Sequence, residues 1–250
     1  MQNTVCQKLR VLCLHGHYNT GQVMKYQLAY YEHIFRDFVE FHYLTAPNEC
    51  LEVYDPKVKE MFKGPFFTWA RYDPKTKKRS GFFESYEAIN KQLDDYGPYD
   101  GVIGFSQGGY MARVLLKSEE FGLPPPKNKL KFGVLISSPL GDFNPFPGLE
   151  AKYPVPMMYI FGKKDKIASN YEETIAREGK YTIIAHEQGH NIPKFTGEEI
   201  NEFIQFFSSA YRKKFGEDID LGFEVNEEFK QSFLDDQKLM ATSKPLISKL

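Results

Sequence analysis

Gly104-Phe105-Ser106-Gln107-Gly108 sets a serine between two glycines, after the apolar run Gly101-Val102-Ile103 and before a helix-like stretch from Gln107 to Lys117. A serine hydroxyl is a weak nucleophile until a neighbouring base takes its proton. A strand, turn and helix with G-x-S-x-G spacing presents that hydroxyl on a sharp turn. Glycines two residues to either side let strand and helix approach closely. The helix that follows directs unpaired N–H groups at negative charge developing beside Ser106. The chemistry such a turn serves is acyl transfer through a covalent acyl-serine. A glycine-flanked turn with a capping serine has the same local sequence, so the assignment needs partners elsewhere.

Those partners follow in order. Pro156-Met157-Met158-Tyr159-Ile160-Phe161 reads as a buried strand, and Gly162-Lys163-Lys164-Asp165 leaves its end. Tyr181-Thr182-Ile183-Ile184-Ala185 is the next apolar run, followed by His186-Glu187-Gln188-Gly189-His190-Asn191-Ile192-Pro193. Ser106, Asp165 and His190 thus each sit just past the carboxyl end of an expected strand. His190 would take the serine proton, and Asp165 would fix its tautomer and stabilise the imidazolium. His186 is the competing base, but Gly189 gives His190 the looser loop, so His190 is preferred.

A tetrahedral oxyanion needs two preorganised N–H donors. Leu9-Arg10-Val11-Leu12-Cys13-Leu14 is a strand-like run ending in His15-Gly16-His17-Tyr18. The expected donors are the backbone N–H groups of His17 and Gln107, while His15 reads as a prop for its loop. Together these segments resemble the α/β-hydrolase fold, and more narrowly the family of serine hydrolases of the fungal and ovarian-cancer-associated type. The resemblance rests on Leu14-His15-Gly16-His17, on the block from Gly97-Pro98-Tyr99-Asp100 through Gly108, on His186-x-x-Gly189-His190-x-x-Pro193, and on Trp69. It spans residues 9–211. His17 departs from the bulky apolar residue usual there, which alters pocket shape but leaves backbone donation intact. The resemblance implies a mainly parallel six-stranded sheet with helices on both faces and little or no cap domain. It also implies a serine esterase or thioesterase with no metal and no organic cofactor.

Composition agrees with an enzyme of this kind. At 250 residues the chain suits one such domain. A net charge of −1 gives no electrostatic case for a nucleic-acid partner. Cys6, Cys13 and Cys50 show neither metal spacing nor a disulfide framework. No apolar run approaches the ~18 residues of a membrane span.

The elements that must position these residues alternate along the chain. Strands are expected at 9–14, 39–44, 101–105, 131–137, 156–161 and 180–185, and helices at 22–36, 83–96, 107–118, 168–178 and 197–213. The last has Thr196 as a cap with Glu199 three residues on, and Ile200, Phe203, Phe207 and Tyr211 along one face. Residues 46–82 show no clear element but carry Phe66, Phe67, Trp69 and Tyr72. These aromatics either build an apolar acyl pocket or simply pin the loop to the core. The nearby Lys75, Lys77, Lys78 and Arg79 read first as a solvated loop and second as a site for cofactor phosphates on a thioester substrate. The glycine- and proline-rich loop at 138–153 is a further candidate for the pocket wall.

Residues 1–215 are therefore expected as an α/β-hydrolase domain, and 216–250 as a C-terminal extension, partly helical and then flexible. Val225, Phe229 and Phe233 recur at four-residue spacing there, enough for a helix to dock. The expected activity is cleavage of a small-molecule ester or acyl thioester, probed against two alternatives: a short-chain carboxylesterase and a catalytically silent binding module. Ser248-Lys249-Leu250 is a tripeptide that the peroxisomal import receptor reads at a C-terminus. An N-terminally tagged chain is therefore expected in peroxisomes, and deletion of Leu250 should leave it active but cytosolic. A tagged full-length chain that stays diffuse in cells with working peroxisomes would overturn that address.

Overall fold

The computed structural model describes residues 7–50, 56–139, 146, 152–167 and 181–243. Six strands form one sheet in the order β10-β9-β8-β7-β1-β2, parallel at every pairing. They are β1 (Leu9–Leu14), β2 (Val39–Leu44), β7 (Gly101–Phe105), β8 (Phe132–Ile136), β9 (Met157–Gly162) and β10 (Thr182–His186). All six were legible as apolar runs, to within two residues at their ends.

Alternation along the strands divides the core into two layers. Val11, Cys13, Ile103, Phe105, Val134, Ile136, Met158 and Ile160 face one side. There they meet α1 (Gly21–Ile34) through Met24, Leu28 and Tyr31, and α5 (Gly197–Phe215) through Ile200, Phe203 and Phe207. Leu12, Leu14, Val102, Leu135, Tyr159 and Phe161 face the other side. Their partners are α3 (Phe82–Tyr96) and α4 (Gln107–Leu116), through Tyr86, Ile89, Leu93, Met111 and Val114. A parallel sheet buried on both faces is what continuous apolar strands require.

The local signals at helix ends fared unevenly. Thr20 caps α1, its Oγ1 accepting the Val23 N–H at 3.1 Å. Thr196 stands at the N-cap position of α5 but makes no side-chain cap bond. Its hydroxyl donates to Glu227 at the start of α6 (Glu227–Ser243), so a tertiary partner has taken the expected local bond. Helix α6 docks as the spacing of Phe229 and Phe233 suggested, with both rings against Tyr30 and His33 of α1.

Residues 46–82 depart most from expectation. They hold β3 (Asn48–Cys50), α2 (Pro56–Met61), β4 (Phe66–Thr68), β5 (Arg71–Asp73) and β6 (Lys78–Ser80). Three-residue strands are too short for a two-residue period to register in the sequence. They exist because each pairs locally, β3 with β4 and β5 with β6, both antiparallel. The expected helix at 168–178, most of the loop at 138–153 and the terminal Ser248-Lys249-Leu250 lie outside the described residues.

At the amino ends of the strands, Asp100 ties three segments together. Its carboxylate accepts the Arg10 N–H at 3.0 Å, and pairs with Lys131 at 3.0 Å and Lys214 at 2.7 Å. Burial alone would raise its pKa, but the bonds from Lys214, Arg10 and Lys131 outweigh it and hold the carboxyl below its usual value. A carboxylate depressed in the folded state stabilises the fold above the ordinary carboxylate range, and that contribution fades as pH falls through the depressed value. Asp100→Asn should cost about 2 kcal/mol at neutral pH. The gap between variant and parent in urea unfolding should close on acidification, and a gap that widens toward low pH would contradict the network.

Candidate active site

The chain adds strands outward from β1 in one direction to β2, then returns and adds β7, β8, β9 and β10 in the other. Loops leaving the carboxyl ends of β1 and β7 therefore part company at the reversal, and the gap between them is where a parallel α/β sheet opens a crevice. Leu14 pairs with Gly104 in register. That register brings His15-Gly16-His17 and Ser106 to the same place.

Ser106 sits between β7 and α4 at φ 51° and ψ −118°. For a residue with a Cβ this conformation costs on the order of 1–3 kcal/mol. The surroundings enforce it. The Ser106 N–H donates to Ile136 O at 2.9 Å, and its carbonyl accepts from Gly109 at 3.0 Å. A Cβ on Gly104 would strike the backbone of Gly109, and one on Gly108 would strike the carbonyls of Leu14 and His15. The two motif glycines are thus needed for backbone against backbone, as the motif implied. Gly16 presses from the other side, where a Cβ would lie 2.9 Å from the Phe105 ring and 3.5 Å from Ser106 Cβ.

His190 and Asp165 arrive on two loops that are laced to each other. The Lys163 N–H donates to His186 O at 2.8 Å, and the Lys164 N–H donates to Gln188 O at 3.2 Å. From there His190 Nε2 lies 2.9 Å from Ser106 Oγ, and His190 Nδ1 lies 2.8 Å from Asp165 Oδ2. The second Asp165 oxygen accepts the Ile167 N–H at 2.9 Å, so the carboxylate is held at both ends. Beyond His190 the chain is fixed by two buried tyrosines of α1. Tyr31 donates to Pro193 O at 2.8 Å and Tyr30 to Phe195 O at 2.9 Å. The structure therefore brings Ser106, His190 and Asp165 together as one hydrogen-bonded chain. His186 stays apart: it is buried against Phe195, its Nδ1 faces the Gln188 N–H, and burial lowers its pKa.

His15 is fully buried, and burial pulls its pKa down to about 4. Its neutral ring gives Nδ1–H to Gly16 O at 2.7 Å and accepts the Ala46 N–H on Nε2 at 2.9 Å. That is a structural prop. Gln107 contributes a side-chain clamp that sequence reasoning missed. Its Oε1 accepts the Trp69 N–H and faces the Thr68 hydroxyl, both at 2.7 Å, while its Nε2 donates to Ala70 O at 2.9 Å. The residue after Ser106 thereby fixes the segment Thr68-Trp69-Ala70, which leads into the cavity wall. No local pattern announces this, because partners almost forty residues away supply all three bonds.

A cavity of about 340 Å³ opens beside Ser106, lined among others by His17, Tyr72, Phe82, Gln107 and Tyr110. The expected aromatic acyl wall needs correction here. Of Phe66, Phe67, Trp69 and Tyr72, Tyr72 alone lines this cavity. Trp69 is 0% exposed, packed into the sheet layer, with its indole N–H donating to His15 O at 2.7 Å. Phe66 belongs to a small satellite cluster with Val23 and Val58, and Phe67 packs partly buried against the second core layer. Of the two roles that the density of these aromatics allows, pocket wall or pinned loop, Phe66, Phe67 and Trp69 take the second.

The profile described as Serine hydrolase (FSH1) matches residues 1–200. The chain belongs to this serine hydrolase family. Among its relatives, Esterase CG5412 of Drosophila melanogaster is 28% identical over 224 residues, covering 84% of this chain and 77% of that protein. A Schizosaccharomyces pombe protein named dihydrofolate reductase is 26% identical over 203 residues, covering 74% of this chain but 44% of that protein. The crystal structure of Zea mays acyl-protein thioesterase 2 superposes with a TM-score of 0.55 at 18% identity, covering 84% of this chain and 97% of that one. At that identity the likeness is one of fold: both are α/β hydrolases.

Trp69 offers a direct test of prop against pocket wall in this family member. Trp69→Phe removes the bond to His15 O and should cost about 1–3 kcal/mol of stability. The ratio of rates on short and long acyl esters should stay as in the parent. A changed ratio with unchanged stability would restore Trp69 to the pocket.

Proposed function

We propose that this serine hydrolase cleaves carboxylic esters or acyl thioesters through an acyl-serine intermediate formed on Ser106. The observation that carries this reading is the unbroken chain from Ser106 Oγ through His190 to Asp165, at 2.9 and 2.8 Å. As Ser106 Oγ bonds to the substrate carbonyl carbon, His190 Nε2 takes the hydroxyl proton. Asp165, bonded to Nδ1, holds the tautomer that leaves Nε2 free to accept, and stabilises the imidazolium. The tetrahedral oxyanion is held by the backbone N–H groups of His17 and Gln107. Gln107 opens α4, where first-turn N–H groups have no intrahelical acceptor. His17 lies on the loop that Gly16 presses against Ser106, and lines the same cavity.

Collapse of the intermediate breaks the carbonyl–oxygen or carbonyl–sulfur bond, and the imidazolium proton goes to the leaving group. Water then attacks the acyl-serine, giving its proton to His190, and the acid departs as Ser106 regains its hydrogen. Phe82, Tyr110, Pro139 and Ile167 line the cavity and favour an apolar acyl chain. Each buried methylene contributes about 0.8 kcal/mol. A short-chain carboxylesterase is the alternative if the cavity fills after a few carbons. For location, the support is the tripeptide Ser248-Lys249-Leu250, which fits recognition by the peroxisomal import receptor.

Ser106→Ala and His190→Ala should each lower kcat by several orders of magnitude with the fold retained. Ser106→Ala should also abolish labelling by a fluorophosphonate probe, whereas His186→Ala should stay near parental activity. On a series of 4-nitrophenyl esters, kcat/KM should rise from acetyl upward until the cavity is full. Full activity in His190→Ala with loss in His186→Ala would reassign the base, and a maximum at acetyl would favour the short-chain alternative.

A further inference from the structure

The cavity beside Ser106 is not only apolar. Its lining includes Arg71 and Arg79, and among the described residues no aspartate or glutamate lines it. Both arginines belong to the β5–β6 hairpin, in which Arg71 pairs with Ser80 and Tyr72 with Arg79. The guanidinium of Arg79 stands 5.8 Å over the centroid of the Tyr72 ring, so the two side chains share the ribbon face that meets the cavity. Its field reaches the site: together with burial, the larger cause, the Arg79 charge lowers the pKa of His17. The acidic residue of the hairpin, Asp73, is engaged in the turn, accepting from the Lys75 N–H at 2.8 Å and the Thr76 hydroxyl at 2.8 Å. Lys77 and Lys78 add further positive charge along the same exposed ribbon.

We propose that Arg79, with Arg71 beside it, makes this cavity selective for ester or thioester substrates that carry a carboxylate or phosphate away from the scissile carbonyl. The inference rests on the reading of Ser106 as nucleophile. The apolar floor of Phe82, Tyr110 and Ile167 takes a short methylene spacer, and the arginines at the rim take the anion that ends it. An arginine matches either oxyanion with two parallel N–H donors. The anion has two possible positions. It sits on the acyl part in the half-ester of a dicarboxylic acid, and on the leaving part in a phosphorylated thiol. The chemistry at the rim is the same in both.

Two matched substrate pairs separate these sources. 4-nitrophenyl hydrogen glutarate is compared with 4-nitrophenyl methyl glutarate, in which the distal carboxylate is capped. Butyryl-coenzyme A is compared with butyryl-N-acetylcysteamine, which lacks the phosphates. In at least one pair the charged member should show about a fivefold to twentyfold higher kcat/KM at low salt. That ratio should shrink at 0.5 M sodium chloride, on the order of the screening expected for exposed charges. It should fall toward one in Arg79→Gln and in the Arg71→Gln/Arg79→Gln double variant, and persist in part in Arg79→Lys. Both side chains are exposed, so the variants keep the fold.

Binding of the same four compounds to Ser106→Ala, by isothermal titration calorimetry, gives a readout independent of turnover. A binding contrast without turnover in the parent chain would refute the acyl-serine reading and leave the anion selectivity standing. Turnover of both pairs at equal kcat/KM, with equal binding, would refute the selectivity and leave the acyl-serine reading intact. A charged-to-neutral ratio unchanged in the double variant would also overturn the assignment to these arginines.

Discussion

The close approach of backbone to backbone around Ser106 is the constraint on which this structure turns. Gly104 meets Gly109, Gly108 meets Leu14 and His15, and Gly16 meets the Phe105 ring. At each contact a methyl group is too much. The left-handed φ of Ser106 goes with this crowding, at the turn where strand β7 passes into helix α4. Strain of this kind persists only when the surroundings over-determine it. Here they do so from three sides: the neighbouring strand through Ile136 O, the helix through Gly109, and the first loop through Gly16.

The sheet supplies the rest of the positioning by direction alone. With every pairing parallel, all loops that follow strands emerge on one side. The segments bearing Ser106, Asp165 and His190 leave β7, β9 and β10, and the segment bearing His17 leaves β1. The opposite side carries the Asp100 junction, where Arg10, Lys131 and Lys214 meet a buried carboxylate. One end of the sheet thus holds charge balance for the fold, and the other holds groups arranged for chemistry.

The six strands, four of the five long helices expected, and the serine, acid and histidine were legible in the amino-acid order, because each depends on a pattern within a dozen residues. Apolar runs mark the strands, and the motif at 104–108 marks the turn. What stayed hidden depends on partners far along the chain. The Gln107 clamp needs Thr68, Trp69 and Ala70, and the short strands β3 to β6 need one another. Trp69 shows the limit most clearly, since an aromatic residue beside a site has the same sequence signature whether it faces the substrate or the core. The Thr196 hydroxyl shows it again, drawn from its own helix to Glu227 by a helix thirty residues later.

The lacing of the Asp165 loop to the His190 loop has a consequence for how error accumulates. Lys163 and Lys164 bond across to His186 and Gln188, and Gly162 lies so close to Gln188 that no side chain fits there. Asp165 and His190 therefore sit on one laced jaw built on the ends of β9 and β10, whereas Ser106 belongs to a second jaw built on β7 and β1. A shift of one body against the other falls on the contacts between them, among them the 2.9 Å between His190 Nε2 and Ser106 Oγ. The 2.8 Å bond between His190 and Asp165 travels with its jaw. Alignment of three side chains from distant parts of the chain thereby comes down to how these two bodies meet.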